Sequence, residues 1–98
     1  MAFEIRLAQV QKVSATEDTL TVDLSDGRTI SVPLNRYPRL LQGTLEERAH
    51  WRLIGQGEGI HWLDLDEDIS VENIIFGQSS GESQKSFQKW QESRKKAK

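Results

Sequence analysis

With 98 residues, 36% hydrophobic content and no cysteine, the chain has room for one small domain and excludes disulfides and thiolate metal ligands. No apolar run approaches the roughly 18–20 residues needed to span a bilayer. The start, Met1-Ala2-Phe3-Glu4-Ile5-Arg6, lacks the basic and apolar regions of a secretory leader, so a cytoplasmic setting away from membranes is expected. The formal charge of −2 conceals a split. Residues 1–76 carry 7 Lys and Arg against 13 Asp and Glu, a net of −6, whereas residues 77–98 carry 6 against 2, a net of +4. An acidic body with a basic end bears on the charge of its partners.

Phe3, Ile5 and Leu7 alternate with polar residues, which predicts a strand with one buried face. The phase slips around residues 8–10, because Val10 and Val13 differ in parity, and a bulge or break is expected there. Leu20, Val22 and Leu24, then Ile30, Val32 and Leu34, alternate with polar residues on either side of Asp26-Gly27. Asp-Gly is a strong hairpin signal, and Pro33 cannot donate to a ladder, so the second strand is expected at an edge or ending there.

Pro38 suits the first turn of a helix, with Leu40 and Leu41 as its apolar contacts. Thr44-Leu45-Glu46-Glu47 follows the capping-box pattern. The helix after it is expected to bury Leu45 and Ala49, one turn apart. Residues 52–55 return to an extended pattern, residues 56–59 form a turn, and Ile60, His61 and Trp62 form a further short strand. Trp51 and Trp62 flank that turn and are expected in the core. Ser70 caps a last short helix with Val71, Ile74 and Ile75 as its buried stripe, and Gly77 suits a left-handed terminator. The fold class is therefore α+β: a small antiparallel sheet with a hairpin at Asp26-Gly27, two to three short helices and a basic C-terminal tail. Residues 1–77 make the domain, and residues 78–98 a flexible tail.

Asp64, Asp66 and Asp68 imitate the first three ligand positions of a calcium-binding loop, but Ile69 and Ile75 replace its turn glycine and its bidentate glutamate. A solvated loop at the N-terminal end of the last helix is expected, with no metal. Gly55, Gly57 and Gly59 lack the lysine of a phosphate loop and are read as turn glycines. His50 and His61 are the residues for acid–base chemistry. The alternating pattern turns His61 toward solvent and fixes no substrate geometry around it. In the tail, Phe87 and Trp90 share a helical face among Lys85, Lys89, Arg94, Lys95 and Lys96, a composition suited to ordering on a partner protein or on nucleic acid.

At Asp26-Gly27, at residues 47–51 (Glu-Arg-Ala-His-Trp), at residues 59–62 (Gly-Ile-His-Trp) and at residues 65–71 (Leu-Asp-Glu-Asp-Ile-Ser-Val), the chain resembles the small bacterial and phage family called domain of unknown function 2442. The resemblance spans roughly residues 3–77 and leaves the tail outside. It implies a compact α+β fold in a prokaryotic, cytoplasmic setting and a link to toxin–antitoxin-like gene pairs or regulators. It brings no catalytic residues.

The expectation is a non-enzymatic interaction or regulatory module without cofactor, the antitoxin-like member of a two-gene system. A basic toxin-like protein is its first expected partner, with nucleic acid at the tail and a homodimer as further options. The partner-binding candidates are Phe87, Trp90, Lys95 and Lys96 in the tail, with Asp64, Asp66 and Asp68 in the body. The alternative is a small hydrolase or metal-dependent enzyme that uses His61 with Asp64, Asp66 or Asp68.

Overall fold

The computed structural model describes residues 8–78 and 81–96; of Lys96 it describes the backbone alone. The strand expected around Phe3, Ile5 and Leu7 lies outside the described residues. The α+β class holds, with antiparallel pairing throughout, and the strands form two three-stranded sheets in chain order.

The first sheet comprises β1 (Val10–Ala15), β2 (Thr19–Leu24) and β3 (Thr29–Pro33). Its β2–β3 hairpin turns at Asp26-Gly27, where Gly27 has φ 92° and the Leu24 N–H donates to the Arg28 carbonyl at 2.8 Å. Positive φ is costly for a residue with a Cβ, which is why the turn takes glycine. The register slips between Val10 and Lys12, so both Val10 and Val13 reach the core despite their unlike parity. The expected irregularity thus falls one residue later than residues 8–10. Pro33 ends β3, an edge strand, as its missing N–H requires.

A 3-10 turn (Leu34–Arg36) leads into α1 (Pro38–Gln42), with Pro38 in its first turn. Leu40 is buried, but Leu41 is exposed, because a five-residue helix lying on the sheet can bury only one narrow stripe. Next comes α2 (Leu45–Ala49). Thr44 Oγ1 accepts from the Glu47 N–H at 3.0 Å, and Glu47 Oε1 accepts from the Thr44 N–H at 2.9 Å, so the capping box closes in both directions.

The expected buried stripe of α2 is corrected. Leu45 and Ala49 face outward, and the helix turns Arg48 into the interior. Its guanidinium donates to the carbonyls of Leu40 (2.7 Å), Leu41 (2.8 Å) and Thr16 (2.9 Å). These carbonyls reward a planar fork with several donors, which an aliphatic side chain lacks.

The second sheet comprises β4 (Trp51–Ile54), β5 (Gly59–Trp62) and β6 (Glu67–Ser70). Trp51 pairs with Trp62 across β4 and β5, and Ile60 with Ile69 across β5 and β6. The acidic segment is therefore not all loop. Ile69 and Leu65 are buried, and Asp68 sits on a strand. Ser70 Oγ accepts from the Asn73 N–H to start α3 (Val71–Phe76), and Gly77 at φ 70° ends it, both as expected.

One core draws on both sheets: Val22 and Leu24 from the first, Ile60 and Trp62 from the second, and Leu40 and Ile74 from the helices. The Val10 N–H donates to the Gly57 carbonyl at 2.8 Å, which ties β1 to the β4–β5 turn of the second sheet. Beyond Gly77, where the sequence suggests a flexible end, residues 84–96 form α4 (Gln84–Lys96). Among the described residues no helix is long and apolar enough to cross a membrane.

Candidate interaction site

The acidic segment and the two histidines do not converge on a common centre. His50 Nδ1 lies 2.7 Å from Asp64 Oδ2 at an exposed site, and that carboxylate pushes the histidine pKa up. His61 meets Asp68 through Nδ1, as their pairing across β5 and β6 dictates. Asp66 meets neither histidine; it has φ 50°, and its exposed carboxylate lies 3.7 Å from Arg39 Nη1. Its carbonyl accepts from Arg39 Nη1 at 2.9 Å. The alternation that buries Ile60 and Trp62 leaves His61 on the other face, partly exposed. Two of the three aspartates are thus taken up singly by histidines, and among the described residues no group of three or more His, Asp or Glu could hold a metal ion.

The tail candidates are brought together with the body. Ser83 caps the start of α4, its Oγ accepting from the Ser86 N–H at 3.1 Å. Phe87 and Trp90 share one helical face, with ring centroids 5.6 Å apart and planes at 21°. That face turns inward, and Trp90 packs, partly buried, against the core. Two guanidinium groups lie over its ring, Arg39 from α1 at 5.4 Å and Arg94 from α4 itself at 4.7 Å. A cation over an indole face is attracted by the ring quadrupole, more strongly once partly desolvated.

Both arginines also hold carboxylates. Arg39 grips Glu82 through Nε (2.9 and 3.0 Å) and Nη2 (2.5 Å). Arg94 Nη2 donates to Glu47 Oε1 at 2.8 Å. These arginines hold the Glu47 and Glu82 carboxyls below the usual carboxylate range. Lys85, Lys89 and Lys95 are exposed. The Lys96 side chain lies outside the described residues.

Sequence reasoning missed Glu67. It stands beside Arg39, Glu82 and Asp68, and its Oε2 is buried with no hydrogen-bond partner among the described residues. Burial pushes its pKa up to about 7, the neighbouring Glu82 and Asp68 add to the rise, and Arg39 opposes it. The folded state therefore holds this proton more tightly than the unfolded chain does. Its contribution to stability is complete below about pH 4.5 and is lost as pH rises through about 7. Glu47 and Glu82 act in the opposite sense, since their contributions are present above the ordinary carboxylate range and are lost in acid. Thermal unfolding is thus expected to show greatest stability at about pH 4.5–5. Glu67→Gln should flatten the decline between about pH 4.5 and 7 and melt above wild type at pH 8. A wild-type melting temperature still rising from pH 6 to 8 would contradict this assignment.

The comparisons with known proteins agree with this architecture. No curated protein matches the chain. A crystal structure of a protein of unknown function from Rhodospirillum rubrum ATCC 11170 is similar over 79% of this chain and 95% of that one, with a TM-score of 0.69 and 24% sequence identity. At that identity the likeness speaks to the fold. The sequence profile of the family described as "Protein of unknown function (DUF2442)" matches residues 10–80, which takes in both sheets, the core and α1 to α3 and stops short of α4. Asp26-Gly27 and the 47–51, 59–62 and 65–71 segments that carried the resemblance all lie inside that span, and the chain belongs to this family.

Proposed function

We propose that this protein is a non-enzymatic interaction module that holds a partner protein against α2. The observation that carries the reading is the outward stripe of that helix. Leu45 and Ala49, one turn apart, are both exposed, and Leu45 leaves 57% of its surface open. The Leu63 N–H donates to the His50 carbonyl at 3.2 Å, which sets a second leucine, also 57% exposed, at the end of the same helix. Scattered apolar residues are ordinary on surfaces, but a helical stripe continued by a neighbouring leucine suits a protein contact. Glu46 and Asp64 stand exposed beside it and favour a partner with a basic rim. The net charge of −6 over residues 1–76 adds long-range attraction for such a partner. A protein of this kind fits the antitoxin-like member of a prokaryotic two-gene pair, acting in the cytoplasm on a basic toxin-like protein.

The test is capture of the tagged chain from its native host, with partners identified by mass spectrometry after nuclease treatment. Leu45→Glu with Leu63→Glu should weaken capture of the principal partner at least about 30-fold, as loss of a central apolar anchor does. Asp64→Lys should slow association and reduce its salt dependence. A partner released by nuclease, or one retained by the double variant, would overturn the reading.

A further inference from the structure

The face of the body beneath α4 has the properties of a preformed receptor. Arg39 is fixed there by its bond to the Asp66 carbonyl, and Glu47 by the capping box of α2, two restraints that do not involve α4. Together they offer a cation and an anion, and Arg39 reads both a carboxylate and an indole face, those of Glu82 and Trp90.

The present occupant is held loosely. Of α4, only Trp90 packs against the core. Its own ion pair to the body, Arg94–Glu47, keeps 32% and 22% of its side-chain surfaces open to solvent, whereas Glu82, two residues before the helix, meets Arg39 at a more enclosed site, 10% and 16% open. A partly exposed pair such as Arg94–Glu47 is screened and contributes little. Phe87 and Trp90 are the only large apolar residues of its 13, too few to sustain the helix once undocked. Near the start of the segment, Glu67 Oε2 is buried with no hydrogen-bond partner among the described residues. And α4 lies beyond the residues that match the family.

We propose that this face, centred on Arg39 and Glu47, is a docking site for a helix presenting an aromatic ring and a guanidinium at positions i and i+4, with a carboxylate just ahead of its first turn, and that α4 is its displaceable intramolecular occupant. Trp90 and Arg94 have that spacing in α4, and Glu82 lies two residues before the helix begins. The external partner is a protein helix with the same three groups, and one that also brings a donor to Glu67 will displace α4. This surface is separate from the Leu45–Leu63 stripe, so loss of capture through that stripe leaves the inference untouched.

A fluorescent peptide of residues 81–96, titrated into the full-length chain and followed by anisotropy, tests it. The tethered α4 competes at an effective concentration on the order of millimolar, so wild type should bind the peptide weakly. Trp90→Ala disarms the tethered helix, and that chain should bind the wild-type peptide at least about tenfold more tightly than wild type does. Adding Arg39→Ala to that chain should remove the gain, as should Arg94→Ala in the peptide. Glu82→Gln in the chain releases α4 through a different contact and carries the comparison if Trp90→Ala does not fold. Equal binding to wild type and to both folded α4 variants would overturn the proposal, as would no binding to any of them.

Discussion

Arg48→Met is expected to destabilise the protein by roughly 3–5 kcal/mol, the cost of stripping a buried charged donor from its acceptors. Methionine keeps much of the stem volume and removes the guanidinium fork. The Leu40 carbonyl then loses its donor at a buried site, and those of Leu41 and Thr16 lose theirs at part-buried ones. These bonds tie the end of α1 to α2 and to the β1–β2 turn, so their loss should loosen the join between the helices and the first sheet. Arg48→Lys should recover only part of the deficit, because one ammonium cannot serve three carbonyls in the geometry of a planar fork. Urea denaturation followed by circular dichroism measures both variants. A loss under about 1 kcal/mol for Arg48→Met would show that the carbonyls find water, and the arginine would then be incidental to the fold.

Arg48 also marks where the sequence ceased to be legible. The hairpin at Asp26-Gly27, the capping box at Thr44 and the Ser70 and Gly77 boundaries of α3 are local devices, each complete within a few residues, and each appears in the structure where its pattern predicts. In contrast, α2 is five residues long and cannot display a helical period. General burial preference then puts Leu45 inside and Arg48 outside, the reverse of what is found. The acceptors that reverse it lie on α1 and at Thr16, and no pattern around residue 48 reports them.

The acidic segment misled for a related reason. Leu65, Ile69 and Val71 keep a strand-like alternation, but Glu67 occupies the fourth inward position and Asp64, Asp66 and Asp68 dominate the composition. Pairing of Ile69 with Ile60 makes the strand, and pairing of Asp68 with His61 settles which aspartate that histidine takes. The candidate aspartates, histidines and tail aromatics could all be named from the sequence. Which of them meet could not, because Arg39 and Glu82 are 43 residues apart, and Glu47 and Arg94 are 47 apart.

Trp62→Ala should be the most damaging single change. The side chain is fully buried, and its alternation with Ile60 aims it at the core shared by the two sheets. Truncating a buried tryptophan costs about 3–5 kcal/mol through lost burial and the cavity left behind. The stability of so small a domain should sit toward the lower end of about 5–15 kcal/mol, so little margin remains. The indole also donates from Nε1 to the Arg48 carbonyl at 3.0 Å, which links this residue to the one whose side chain fastens α1. Trp62→Phe separates the two contributions: it keeps most of the apolar volume, removes the donor, and should cost about 1–2 kcal/mol. Arg48→Met keeps the carbonyl that accepts this bond but loosens the backbone that carries it, so Trp62→Phe combined with Arg48→Met should depart from additivity by about 0.5 kcal/mol or more. Chemical denaturation of the single and double variants, read by far-ultraviolet circular dichroism so that Trp51 and Trp90 do not confuse the signal, gives all the terms. If Trp62→Ala unfolds cooperatively within 1 kcal/mol of wild type, the two sheets are held by something other than this tryptophan, and the core assigned to them is wrong.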